Sequence, residues 1–243
     1  MQTWGLTDPG NIRQQNQDSY AIVPFGRDRV LMIVCDGMGG AKSGNVASSL
    51  AVEVFTDEVR RTQRPGMTPE KAAAMLRSAL ELSNSAVYEQ SQLSEDFTGM
   101  GTTLVAAFLS RDLAVIINVG DSRAYHFTRE DVSLVTRDHS MVAYMVERGE
   151  LTQEQAKLHP GKNVITRAVG TEPEVEGDIF TCRLRRDECI LLCSDGLSNE
   201  MADQEMLFEV VHGLSKSDCC QRLLHIAKKR GAPDNVTVAL AAV

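Results

Sequence analysis

Four aspartates in this chain stand at the ends of apolar runs. Asp36 follows Leu31, Met32, Ile33, Val34 and Cys35; Asp121 follows VIINVG; Asp195 follows ILLCS; Asp234 directly precedes NVTVALAAV. Three of them touch a glycine, as Asp36–Gly37, Gly120–Asp121 and Asp195–Gly196. One such aspartate reads as a turn, because Asp-Gly is a common turn pair. Four, on strands that could share one end of a sheet stack, read as a carboxylate cluster. Like charges held close together are unfavourable unless a cation neutralises them. An all-oxygen ligand set suits hard ions such as Mg²⁺ or Mn²⁺ rather than zinc. The glycines let the backbone approach closely, so the carbonyl of Gly37 can join the ligands. The expectation is that the first strand stops at Asp36 because a metal ion sits there.

The stretch GNIRQQNQDSY carries Arg13, Asn16 and Asp18. Alone, Arg13 reads as an exposed surface arginine. Beside a metal cluster its guanidinium suits a phosphate, which it can grip in bidentate fashion.

The elements that must position these groups follow from the rest of the chain. Its 243 residues, 43% hydrophobic and 24% charged, allow one large domain with a substantial core. The net charge of -8 argues against nucleic acid or an anionic membrane as partner and is compatible with cations. No signal-like leader and no apolar run near membrane-spanning length is seen, so the expected location is the cytoplasm. The six cysteines form no C-x-x-C pair and read as buried reduced thiols, with Cys189 and Cys193 on one strand face.

Helical spacing covers 43–61 and 69–90, the second with Thr68 as N-cap and Pro69 at its first position. Hairpins are expected over 102–119 and 122–135, short helical turns at 141–148 and 152–157, strands at 178–182, 188–194 and 235–243, and helices at 203–211 and 217–229. Strands in hairpins with paired helices between them indicate an α+β architecture.

The ordered stretches IRQQNQDSY, VCDGMGG, GMGTTL, VGDSRAY, DHS, GELTQEQAKLHPGKNVITRAVG, LCSDGL and PDNVTV span nearly the whole chain. In them the chain resembles the metal-dependent protein phosphatases of type 2C, in their bacterial single-domain form. The resemblance implies one catalytic domain over 1–243: an antiparallel β-sandwich flanked on both faces by pairs of antiparallel helices, α-β-β-α in four layers, with a flap at about 139–163. It implies that Asp36 bridges two Mn²⁺ or Mg²⁺ ions, that Gly37 ligates one through its carbonyl, and that Asp195 and Asp234 complete the other. It gives Asp121 a third, weaker metal site shared with Asp195, Arg13 the substrate phosphate, and Asp18 a hydrogen bond to metal-bound water. The implied activity is hydrolysis of phosphoserine and phosphothreonine in proteins by a metal-bridging water. The implied partners are substrates of a Hanks-type Ser/Thr kinase and the kinase itself, with the enzyme as a monomer.

The chain departs from the family pattern at Met38, where animal and plant relatives carry a proton-donating His, and at Ala41 and Asn45, where many bacterial relatives carry His and Glu. These changes bear on substrate positioning rather than on metal. Two alternatives stand beside the main reading: a regulatory pseudophosphatase, and a phosphatase of small phosphomonoesters. A phosphate-binding P-loop does not fit GMGGAKS, because Ala41 and Asp36 occupy its two required glycine positions. The five histidines read as structural or surface residues, and His139, next to Asp138, is the one to test.

Overall fold

The two segments of strongest helical period become α1 (Gly44–Thr62) and α2 (Pro69–Ser91) in the computed structural model, which describes residues 1–40, 43–213 and 215–243. Thr68 caps α2 by accepting the Lys71 N–H. The departure at Ala41 lies outside the described residues.

Among the described residues the strands are β1 (Gln2–Asp8), β2 (Asp18–Pro24), β3 (Arg29–Met38), β4 (Gly101–Thr102), β5 (Leu104–Ser110), β6 (Leu113–Val119), β7 (Arg123–Phe127), β8 (Val132–Leu134), β9 (Asp178–Arg183), β10 (Cys189–Cys193) and β11 (Val236–Ala242). They form two antiparallel sheets, ordered β1-β11-β10-β7-β8 and β2-β3-β5-β6-β9, with β4 paired to the end of β3.

Both sheets are covered on both faces, which is why several strands read as unbroken apolar runs. In β3, Leu31, Ile33 and Cys35 pack with Phe55, Leu76 and Leu80 of the helices α1 and α2. The alternate residues Val30, Met32 and Val34 pack toward the other sheet, against Ile190, Leu192, Ala239 and Ala241. Leu191, Cys193, Val238 and Leu240 of that sheet turn outward onto Leu223 and Ala227. The fold is thus α+β, with helices on the outside of a two-sheet stack.

The outer helices differ between the two flanks. One flank is the long pair α1 and α2. The other is α7 (Cys219–Lys229) with the short α6 (Asp203–Leu207), which runs into a π-helical turn at Phe208–His212 where a longer α-helix was expected. The turns at 141–148 and 152–157 are α3 (Met141–Glu147) and α4 (Gln153–Leu158). Gly149, at φ 73°, separates them, and a capping box of Thr152 and Gln155 starts α4.

Sequence spacing did not show β1, β2 or the one-turn α5 (Asp195–Ser198). All six cysteines are free, five buried and Cys182 half-buried. Among the described residues, no helix is long and apolar enough to cross a membrane.

Candidate active site

Asp36 lies inside β3, not at its end. The strand runs on through Gly37 and Met38, which pair with Thr102 and Gly101. The turn reading of Asp36–Gly37 is therefore wrong, and so is the expectation that the strand stops there. The register is held from the other side of the sheet: the Asp36 N–H donates to Thr103 Oγ1 at 2.9 Å, and the Asp36 carbonyl accepts from the Thr103 N–H and from Thr102 Oγ1, each at 2.9 Å. Thr103 Oγ1 also meets Ser122 Oγ at 2.7 Å.

Gly37 has no room for a side chain. A Cβ there would collide with the Gly44 carbonyl at the start of α1 and stand 2.6 Å from the Gln17 carbonyl. The Gly37 N–H donates to that Gln17 carbonyl at 3.1 Å, and Ser48 Oγ of α1 donates to it at 2.6 Å. Helix, strand and the 9–17 loop are closed up at this one point.

Asp18, directly opposite Asp36 in the β2–β3 register, is buried. Its Oδ2 accepts from Ser194 Oγ at 2.8 Å and Thr237 Oγ1 at 2.6 Å, while its Oδ1 has no hydrogen-bond partner. Asp195 opens α5 after β10; its Oδ2 accepts from Asn199 Nδ2 at 3.0 Å and its Oδ1 is likewise buried without a partner. Asp234 precedes β11, and its Oδ2 is 2.9 Å from Arg13 Nη2. Asp121 follows β6 on the same end of the stack.

The carboxylates feel one another. Burial first, then Asp18, Asp195, Asp121 and Asp234, push Asp36 well above the usual carboxylate range. Burial and the repulsion of Asp195 and Asp138 raise Asp121 to about 7. Burial, partly offset by hydrogen bonds from Thr237 and Ser194, raises Asp18 to about 6. Asp195 is raised by burial and by Asp234. The predicted aspartates are thus brought together, at a place where negative charge is costly and two carboxylate oxygens have nothing to accept from.

The arrangement is a basin rather than a closed cage. Among the described residues, no three His, Cys, Asp or Glu side chains converge as a ready-made metal site. The donors are all oxygens, which suits a hard ion that keeps several waters, as Mg²⁺ does. A cleft of about 680 Å³ adjoins the basin, reaching Asp121 and Asp195 and walled by Val142, Lys157, Lys162 and Met201.

Asn235, next to Asp234, is the residue that sequence reasoning missed. It is buried; its Oδ1 accepts the Gln17 N–H at 2.8 Å and its Nδ2 donates to the Pro9 and Gln15 carbonyls, both at 3.0 Å. It clamps the loop carrying Arg13 to the segment just before β11 that carries Asp234. Its signal in the sequence was the asparagine placed directly after an aspartate at a strand start. Of the histidines, His126 pairs with Glu188 at 2.8 Å away from the basin, whereas His139 sits beneath the Gly120–Asp121 turn.

The description "Protein phosphatase 2C" belongs to the family model that matches residues 12–232. The serine/threonine phosphatase stp of Listeria welshimeri is 37% identical over 234 residues, covering 96% of this chain and 92% of its own. The crystal structure of Serine/threonine phosphatase Stp1 from Staphylococcus aureus superposes with a TM-score of 0.92 at 35% identity, over 99% of this chain and 94% of that one. The catalytic domain of PstP, solved with two manganese ions, superposes with a TM-score of 0.84 at 31% identity, over 99% and 97% of the two chains. With Asp18, Asp36, Asp121 and Asp195 inside the matched region, the chain belongs to the protein phosphatase 2C family.

Proposed function

We propose that the aspartate basin is the catalytic centre of a metal-dependent serine/threonine phosphatase that hydrolyses phosphoserine and phosphothreonine monoesters in proteins. The enzyme class follows from family membership. The observation that carries the site is the pair of buried carboxylate oxygens, on Asp18 and Asp195, left without partners among carboxylates that repel one another. Such oxygens are costly unless a cation or ordered water meets them.

In this reading Asp36, the Gly37 carbonyl, Asp195 and Asp234 would hold two divalent ions, and Asp121 with Asp195 would hold a third more weakly. The oxygen donors admit Mn²⁺ and Mg²⁺ alike. Ions held there would offset phosphate charge and lower the pKa of a water toward neutrality. Asp18, its Oδ2 tied to Ser194 and Thr237, keeps Oδ1 free to orient a water in the basin. Arg13, on the exposed side, holds the phosphate once its guanidinium leaves Asp234. The segment 139–163 acts as a flap over the adjoining cleft. The presence of Arg13 and all four aspartates favours this reading over a pseudophosphatase. By analogy with relatives, the phosphoproteins are products of a Hanks-type kinase, met by a cytoplasmic monomer.

Hydrolysis of a phosphothreonine peptide, with Mn²⁺ and with EDTA, in wild type and Asp234→Asn tests the proposal. Turnover only with metal, collapsing in the variant, is expected. A folded wild type inactive with both Mn²⁺ and Mg²⁺ overturns it.

A further inference from the structure

We infer that His139 is a positioning residue for Asp121, fixing the Gly120–Asp121 turn by holding both polar groups of the Gly120 backbone. The inference deepens the third-cation assignment of Asp121 and rests on it.

His139 is 8% exposed. Its backbone N–H donates to the Gly120 carbonyl at 2.9 Å, and its ring Nδ1 accepts the Gly120 N–H at 3.1 Å. Asn118 Nδ2 adds a second donor to the same carbonyl at 3.2 Å. Gly120 has a φ of 100°, and a Cβ on it would lie 2.6 Å from Thr103 Cγ2, so the peptide is fixed by packing as well. Asp121 is the next residue along the chain, so its carboxylate leaves the backbone directly after this fixed peptide. Its direction is therefore set by the turn that His139 holds.

The ring has one consistent tautomer. Nδ1 accepts, so the proton is on Nε2, which stands 3.2 Å from Asp178 Oδ2 and 3.3 Å from Arg167 Nη1. Arg167 Nη1, also a donor, bonds to Asp178 Oδ1 at 3.0 Å and to the Glu176 carbonyl at 2.9 Å. Asp178, at the start of β9, thereby aims the imidazole at the turn. The His139 carbonyl accepts the Thr166 N–H at 2.8 Å, and the next residue, Ser140, caps α3. His139 thus joins the Asp121 turn to the start of the 139–163 segment and, through its backbone carbonyl, to Thr166 just beyond that segment.

Two substitutions separate the ring's two roles. In His139→Asn the amide Oδ1 can take the place of Nδ1; in His139→Gln the amide reaches toward Asp178 and the Gly120 N–H loses its acceptor. The first readout is hydrogen exchange at the Gly120 amide in the metal-free protein. The second is the number of weakly bound Mn²⁺ ions, counted by electron paramagnetic resonance of free Mn²⁺. Thermal melts verify that each variant is folded.

We expect His139→Gln to speed Gly120 exchange at least tenfold and weaken the weakest Mn²⁺ equivalent about tenfold, with the tighter ions retained. His139→Asn stays within about twofold of wild type in both. In an Asp121→Asn background, His139→Gln changes Mn²⁺ binding no further. Unchanged Gly120 exchange in His139→Gln, or equal losses in both His139 variants, overturns the inference, as does an additive Mn²⁺ loss in the double variant. If Asp121→Asn alone keeps every Mn²⁺ equivalent, the third-site assignment falls, and Gly120 exchange alone then decides for or against the hold of His139 on the turn.

Discussion

Arg13 Nη2 lies 2.9 Å from Asp234 Oδ2, so the cation assigned to substrate phosphate is paired with a carboxylate assigned to metal. The two side chains are 55% and 34% exposed. An ion pair so open to solvent contributes at most about 1 kcal/mol. A divalent ion competing for Asp234 meets little resistance, and the released guanidinium is left beside the basin. On the proposed roles, each partner satisfies the other where a cation and a phosphate would bind.

Arg13→Ala separates these roles. A hydrogen bond to a charged group contributes about 1.5–3 kcal/mol, and 1.4 kcal/mol is about tenfold. We expect kcat/KM on a phosphothreonine peptide to fall about 10- to 100-fold, while Mn²⁺ binding by calorimetry is unchanged or tighter. An unaltered kcat/KM would remove Arg13 from the phosphate site.

The crowded carboxylates give the metal-free protein a pH dependence with a definite sign. Asp18 and Asp121 titrate at about 6 and about 7 when folded, against 3.8 as the ordinary value, and Asp36 and Asp195 shift the same way. Between about pH 4 and 7 the folded state binds more protons than the unfolded one, so stability falls as pH rises through that window. His139, whose pKa burial lowers, acts in the opposite sense at about pH 6, and carboxylates held low, such as Glu205 bonded to Arg230, do so only toward about pH 4–5 and below. With EDTA, Tm should drop by several degrees from pH 5 to pH 7.5, and Mn²⁺ at pH 7.5 should restore it. A Tm that rises over this range without metal contradicts the electrostatic account.

Asn235→Ala should be costly out of proportion to its size. It removes three hydrogen bonds and strands the Gln17 N–H in a buried place. A buried unsatisfied group costs about 1–3 kcal/mol. For a domain of this length each kcal/mol lowers Tm by roughly 2–4 °C. A melt should show that loss, and the surviving folded enzyme should need more Mn²⁺ for half-maximal activity, because the Gln17 peptide, whose carbonyl accepts the Gly37 N–H, is no longer held against Asn235.

Gly37→Ala tests the closed joint between β3 and α1. The added methyl meets backbone, the Gly44 and Gln17 carbonyls, and not a side chain that could swing away. The variant is expected to be unstable or, where folded, to have lost metal-dependent turnover at least about 100-fold. Near-normal activity would mean that the joint yields and that the Gly37 carbonyl holds no metal.

The sequence by itself determined the elements whose burial is one-sided or complete. The 3.6-residue period of α1 and α2, and the unbroken apolar runs of β3, β5, β6 and β10, follow from local pattern, because each residue's environment repeats along the element. It also marked the four aspartates, since a carboxylate at the edge of an apolar run stands out against its neighbours. Tertiary structure decided the rest. β1 and β2 are half-buried along their length, so they show no clean alternation; β1 exists because β11, at the far end of the chain, pairs with it from Gln2↔Ala242 to Asp8↔Val236. Asp36 looked like a terminus but is interior, because a two-residue strand arriving from Gly101–Thr102 extends β3 past it. The clamp of Asn235 and the hold of His139 on Gly120 were invisible for the same reason. A hydrogen bond between residues far apart in sequence leaves no period to read, and only the packing of the two sheets brings its donor and acceptor within reach.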